Sequence, residues 1–312
     1  MIQGALVVGA ALLGAAVAAG CSSADKSSGF QNGDAGGGFG NGDGGTGGGL
    51  GGEGGTGVGA DGCSDAAKLV YVVDSHNGLH SFDPAALEFH SIGTLHCNTD
   101  SSPNSMAVDR SGTAWVNFAD GEVFKVSTTD ASCTATSFDP SDNPNGGEHW
   151  GMAFSTNSAG STDETLWVDP GSGAGTGRGL YKFDTSAYKL TKVGDFTNGL
   201  DGEEAELTGT GDARLFGFLT TSPATVAEID KSSGATPTSG QSPLAGVETG
   251  QAWAFSFWGG DFWLYTSDDG LSSSVTQYHT SSSKATTVVI DDTGFAIVGA
   301  GVSTCAPTVP PR

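Results

Sequence analysis

The 312-residue chain is short of basic residues, of helical periodicity and of long apolar runs beyond its first twenty positions. Twelve Lys and Arg stand against 35 Asp and Glu, a formal charge of −23. That balance repels nucleic acid and anionic lipid headgroups, so no nucleic-acid partner is expected and any membrane contact needs another device. From residue 63 onward almost no apolar pattern has a period of 3.6, which sets helical folds aside. The glycine runs are not phosphate loops, because no strand precedes them and no Lys-Ser/Thr follows. No helical face or strand gathers His76, His80, His90 and His96 at metal-ligand spacing.

What is present divides the chain into three. Residues 1–20 are apolar and rich in small residues, ending Ala18-Ala19-Gly20 before Cys21. This resembles a bacterial lipoprotein signal, although its start carries no Lys or Arg and Ala18 stands where Leu is usual. The resemblance implies cleavage before Cys21, lipidation of that cysteine, and anchoring at the cell envelope, at the outer membrane or cell surface. A cleaved and released protein is the alternative. Residues 21–62 hold 19 of the 52 glycines, mixed with Asp, Asn, Ser and Thr. No apolar pattern there offsets the entropy of ordering, so a disordered tether is expected, with a reach of roughly 35 Å.

Residues 63–312 alternate short apolar runs with Gly, Asp, Ser and Asn turns, the all-β signature. Five units of about fifty residues recur, each with four strands (A to D), and the predicted C strands begin near 79, 123, 180, 226 and 275. The first unit lacks an A strand, and one is found at 293–298, at the far end. A borrowed strand is how a five-bladed β-propeller closes its ring and hides its sheet edge. Cys63 and Cys305 flank that joint and are expected to bond across it. Cys97 and Cys133 then pair by elimination; the blade register puts them on opposite rims, so either that register is off or the loop 98–104 folds back. The six tryptophans fall at predicted A and B strands, which predicts wedge packing between blades; a row of exposed aromatics for carbohydrate is the alternative.

The clearest unit, residues 103–116, reads PNSMAVDRSGTAWV. It resembles the blade signature of NHL and SMP-30/gluconolactonase-like propellers, which occur in many secreted bacterial proteins, tethered lipoproteins of myxobacterial type among them. The resemblance implies a divalent ion, such as Ca²⁺, held at the tunnel mouth by Asn104 with carboxylates from other blades. Position by position, however, Asn104 falls level with Trp150, Glu204, Gln251 and Thr293. Only Glu204 or its neighbours Glu203 and Glu206 add a carboxylate, a poor set for an ion that wants six to eight oxygens. Read from the residues, no cofactor is expected and Asn104 caps a turn. Glu148-His149-Trp150 precedes an inner strand and faces the same mouth, where a His–Glu pair suits acid–base work. The aspartates ending the C strands, Asp83, Asp184 and Asp230, suit turn formation.

No complete catalytic set emerges. The expected function is a non-catalytic binding or scaffold module, monomeric, meeting an unknown ligand or protein at the rim, with Asn104, His149, Trp150, Glu203, Glu204 and Gln251 as ligand contacts. The alternatives are a metal-dependent lactonase or lyase of SMP-30 type centred on Asn104 and Glu204, and a purely structural surface lipoprotein.

Overall fold

The computed structural model describes residues 63–143, 149–171, 179–281 and 284–311. The expected signal segment, Cys21, the tether and Glu148 lie outside them. Among the described residues twenty strands form five antiparallel sheets of four. Blade one contains β1 (Val70–Asp74), β2 (Gly78–Asp83) and β3 (Glu88–Thr94). Blade two is β4 (Pro103–Val108), β5 (Thr113–Phe118), β6 (Val123–Ser127) and β7 (Cys133–Ala135). Blade three is β8 (Gly151–Thr156), β9 (Glu164–Asp169), β10 (Leu180–Asp184) and β11 (Lys189–Gly194). Blade four is β12 (Ala205–Gly209), β13 (Leu215–Leu219), β14 (Thr225–Glu228) and β15 (Gln241–Pro243). Blade five is β16 (Ala252–Trp258), β17 (Asp261–Ser267), β18 (Ser274–Tyr278) and β19 (Thr286–Ile290). The last strand, β20 (Ile297–Val302), pairs with β1 as the inner strand of blade one. The protein is a five-bladed β-propeller. Among the described residues no helix is long and apolar enough to cross a membrane.

Five buried apolar clusters lie one at each junction between neighbouring blades. Tyr71, Val73 and Leu79 of blade one, for example, meet Met106, Val116 and Phe124 of blade two. Inner strands therefore bury both faces, and β1, β8, β12 and β13 are buried at every position. This is why they read as continuous apolar runs rather than alternating ones. The outer strand β3 keeps no fully buried residue. Five tryptophans wedge these junctions at 9% exposure or less; Trp253 alone is half-buried. The C-strand aspartates do form turns: Asp83, Asp184 and Asp230 accept backbone N–H groups at 2.7–2.8 Å from Ala85, from Ser186 and Ala187, and from Ser232.

Both disulfides are present, Cys63–Cys305 and Cys97–Cys133. The strand positions are as expected, β3 ending at Thr94 and β7 opening at Cys133, and the second bridge forms because strands twist by about 20–25° each, so a blade's outer strand has swung well away from its inner one. The end of β3 thereby lies against the 127–133 turn of the next blade, where a Cβ on Gly93 would stand 3.2 Å from Ala131. The closing strand is displaced from the expected 293–298. Phe295, which drew the apolar reading, stacks on His80 at 4.4 Å instead. The strand continues through Gly299 and Gly301, which look like loop in sequence. They are glycine because Gly299 abuts the β4 backbone, a Cβ there coming within 2.9 Å of the Ser105 Cα. Thr293 accordingly stays in a rim loop, bonded to Ser273 and Phe295 backbone.

Inner strands crowd the axis most tightly at Gly151, where a Cβ would lie 1.8 Å from the Ala205 carbonyl oxygen. Gly151→Ala is therefore expected to cost about 3 kcal/mol, the upper part of the overpacking range, because backbone rather than a pliable side chain must move. A urea midpoint unchanged from wild type would show that the ring relaxes at no cost.

Candidate functional site

The A strands start, and the B strands end, at one mouth of the tunnel. A cavity of about 190 Å³ opens there, lined by residues of all five blades. Asn104, His149, Trp150, Glu204 and Gln251 of the sequence-stated set line it, as do Glu206, Asp169 and Trp253. Glu203 does not: its carboxylate accepts a hydrogen bond from the Thr220 hydroxyl at 3.0 Å in the neighbouring loop.

Asn104 is held firmly. Its Nδ2 donates to Asn117 Oδ1 at 3.2 Å and to the Trp150 carbonyl at 3.4 Å. Its Oδ1 therefore accepts, and the partner 3.0 Å away is His149 Nδ1. That contact calls for a proton on Nδ1, so the neutral tautomer that fits it is the one with Nε2 as an acceptor. The His149 ring lies 6.2 Å from that of Trp253 at 31°, so the two form one aromatic wall. The Trp150 indole turns the other way, into the junction with Phe138 and Phe183; its contribution to the site is backbone.

The floor is acidic. Glu206, on β12, is 4% exposed, and Ser105 Oγ donates to its Oε2 at 3.1 Å from blade two. Burial pushes its carboxyl well above the usual range, the Ser105 bond opposes this, and Asp169 adds to it. Asp169, the last residue of β9, is 1% exposed. Burial raises it to about 7, against the pull of backbone N–H groups from Ala205 at 2.9 Å and from Gly179 and Gly171 at 3.4 Å, with Glu204 raising it further. The contrast with Asp74, at the same strand end in blade one, is instructive. Burial would raise Asp74 too, but hydrogen bonds from His80 (2.9 Å), Gly78 and His76 outweigh it and hold its carboxyl below the usual range. Asp169 has no such imidazole.

The opposite mouth is shut. A Cβ on Gly211, in the β12–β13 turn, would stand 2.3 Å from the Thr304 carbonyl oxygen just after β20. Blades four and one are not neighbours in the ring, so this contact crosses the axis. Around it Arg110 donates to Thr304 Oγ1 at 3.2 Å and, through its backbone, to Glu164 at 2.7 Å, while Thr304 Oγ1 donates to Glu164 at 2.7 Å. Lys231 Nζ donates to the Thr156 carbonyl at 2.6 Å. The tunnel is thus a one-ended pocket.

Comparison with known proteins adds outline only. No protein-family model matches the chain, and no curated protein matches its sequence. Solved structures similar to it include a protein of unknown function from Bacteroides caccae, 12% identical with a TM-score of 0.37, covering 71% of this chain and 73% of that one. The Dos1 propeller is 12% identical with a TM-score of 0.39, covering 74% of this chain and 56% of that one. Dihydro-heme d1 dehydrogenase NirN, in complex with DHE, is 13% identical with a TM-score of 0.37, covering 74% of this chain and 45% of that one. This chain therefore spans about half the length of the last two. The fold assignment rests on the five sheets themselves.

A divalent ion of the kind the family resemblance implies does not suit this donor set. The Asn104 oxygen is already engaged in the hydrogen bond with His149 Nδ1, and Glu203 is turned away. Among the described residues no three His, Cys, Asp or Glu side chains are grouped so as to hold a metal. Asp169 and the half-buried Trp253 are the site residues that sequence reasoning missed. Asp169 ends a B strand in the phase of Asp74, which is a legible signal, but an aspartate at a strand end reads first as a turn former.

Proposed function

We propose that the protein is a non-catalytic binding module, exported and held at the cell envelope through a lipid on Cys21, which takes a small ligand in the axial pocket. The observation that carries this is the pocket's construction: five blades converge on one mouth, an aromatic wall and an acidic floor line it, and the far end is bridged. Its volume is below the roughly 300 Å³ at which drug-sized sites begin, so the ligand is small. Two disulfides fit export to an oxidising compartment. The blade signature of NHL and SMP-30-like propellers supplies the ring, while the donor set around Asn104 argues against the metal-dependent chemistry that accompanies it.

Two measurements test the reading. In a thermal-shift screen of small metabolites, compounds that raise the melting temperature of wild type are expected to lose their effect in Trp253→Ala. Turnover of any lactone, ester or glycan that vanished in Glu204→Ala would overturn the non-catalytic assignment. For the anchor, Cys21→Ser is expected to move the protein from the membrane fraction to the soluble one; retention in the membrane fraction rejects the lipid.

A further inference from the structure

We infer that the axial pocket takes a small primary ammonium ion, its N–H groups on Glu206 and its apolar part against Trp253. This rests on the pocket being a binding site, as proposed above, and adds the chemical class of its ligand. The carboxyl of Glu206 is all but enclosed, yet only Oε2 has a hydrogen-bond partner, the Ser105 hydroxyl. Oε1 has none among the described residues and is left for the cavity that Glu206 lines. A nearly enclosed carboxyl whose second oxygen meets only the cavity points to what completes it.

The rest of the lining agrees. Glu204 and Asp169 add two more carboxyls, and His149 presents Nε2 as an acceptor. Among the described residues no Lys or Arg lines the cavity. The lining also holds donors, the Gln251 amide and the buried, unpartnered Trp253 Nε1–H, but its charge-bearing groups are carboxyls, and an acidic floor selects a cation. The carboxyls line one cavity without grouping closely enough to share a metal ion. A cation that spreads its charge over several N–H groups therefore suits them better than a bare ion. Trp253 supplies the aromatic face that organic cations favour. The floor meanwhile stays uncharged when the pocket is empty, because burial holds Glu206 and Asp169 in their protonated forms toward neutral pH. Binding of the cation expels those protons.

Isothermal titration of the full chain with benzylammonium chloride tests this, with benzyl alcohol as the neutral isostere and glucose as a neutral polyol. Benzylammonium is expected to bind about tenfold or more tightly than benzyl alcohol, a difference set by the charge. Its heat is expected to depend on the ionisation enthalpy of the buffer in the sense of proton release. Affinity is expected to rise from pH 5 to pH 8, since the raised carboxyls of Glu206 and Asp169 give up their protons more readily as pH rises. Glu206→Gln keeps the shape and removes the charge, so it is expected to weaken benzylammonium about tenfold more than it weakens benzyl alcohol. Glu204→Gln, nearer the mouth, gives a second variant with a smaller loss in the same direction. Benzyl alcohol binding as tightly as benzylammonium, or benzylammonium failing to bind, overturns the inference. If glucose or benzyl alcohol then binds and Trp253→Ala abolishes it, the ammonium class falls while the binding pocket stands; if no probe or screened metabolite binds, both fall.

Discussion

Replacing Cys63 and Cys305 together by alanine is expected to lower stability by about 5 kcal/mol, the top of the range for a disulfide. The bridge closes a loop with a sequence separation of 242, so nearly the whole domain lies inside it. Loop-closure entropy grows only as the logarithm of length, which is why the bridge over a separation of 36, Cys97–Cys133, is expected to contribute about 4 kcal/mol in the same account rather than a seventh as much. The two differ in kind more than in size. Cys63–Cys305 fastens the one place where the ring is not continuous in sequence, the β1–β20 ladder. Around it Ser303 Oγ donates to the Ala67 carbonyl at 2.5 Å and Trp258 Nε1 to the Lys68 carbonyl at 2.9 Å. If β20 leaves, β1 presents a bare edge and blades two and five lose the strand packed against their inner strands, and bare edges pair with other chains. Aggregation on heating is therefore expected from Cys63→Ala/Cys305→Ala and not from Cys97→Ala/Cys133→Ala. Set against the 5–15 kcal/mol typical of whole domains, the first loss is a large share. Equal urea midpoints for wild type and the Cys63/Cys305 variant, without reductant, would mean that the ladder closes the ring unaided.

That joint also measures how far the fold was legible. Five units, the missing first A strand and the flanking cysteines were readable because each blade obeys local rules: period, turn chemistry and cysteine placement. The exact phase of β20 was not, because Gly299 and Gly301 are dictated by the β4 backbone that they touch, a partner nearly two hundred residues away. The site divides along the same line. Asn104, His149, Glu204 and Gln251 follow from counting strand starts around a ring, and they do line one cavity. Asp169 belongs to a strand end, and its character comes from burial and from the absence of an imidazole such as the one that serves Asp74. Trp253 looked like the other five wedge tryptophans, and only its place at the open mouth sets it apart. The closure of the far end by Gly211 against Thr304 is a contact across the axis that no local pattern announces.

Stability is expected to fall as pH rises from about 4 to 7, the reverse of the usual acid side of a protein's profile. Folded Asp169 keeps its proton to about 7, whereas an unfolded aspartate loses it near 3.8. Between those values the folded state binds more protons than the unfolded one, so each rise in pH favours unfolding. At about 1.4 kcal/mol per pH unit, the Asp169 shift corresponds to a loss of about 4 kcal/mol by pH 8. Glu206 and Glu164, both raised mainly by burial, act in the same sense. Asp74 acts oppositely, since its lowered carboxyl stabilises the fold above the usual aspartate range and that contribution is lost only in stronger acid. The net charge of −23 also opposes compactness as carboxylates ionise. Salt separates the two effects: 1 M NaCl shortens the screening length to about 3 Å and removes surface repulsion, while enclosed groups are screened far less. In high salt the decline is therefore expected to persist in wild type and to flatten in Asp169→Asn, which keeps an acceptor for the Ala205 N–H without a charge. Glu206→Gln is expected to flatten it further, and because the two carboxyls interact, the double variant is expected to gain less than the sum. Urea midpoints that rose steadily from pH 5 to 8 in 1 M salt would show that Asp169 ionises at no cost, and that the pocket floor is charged when empty.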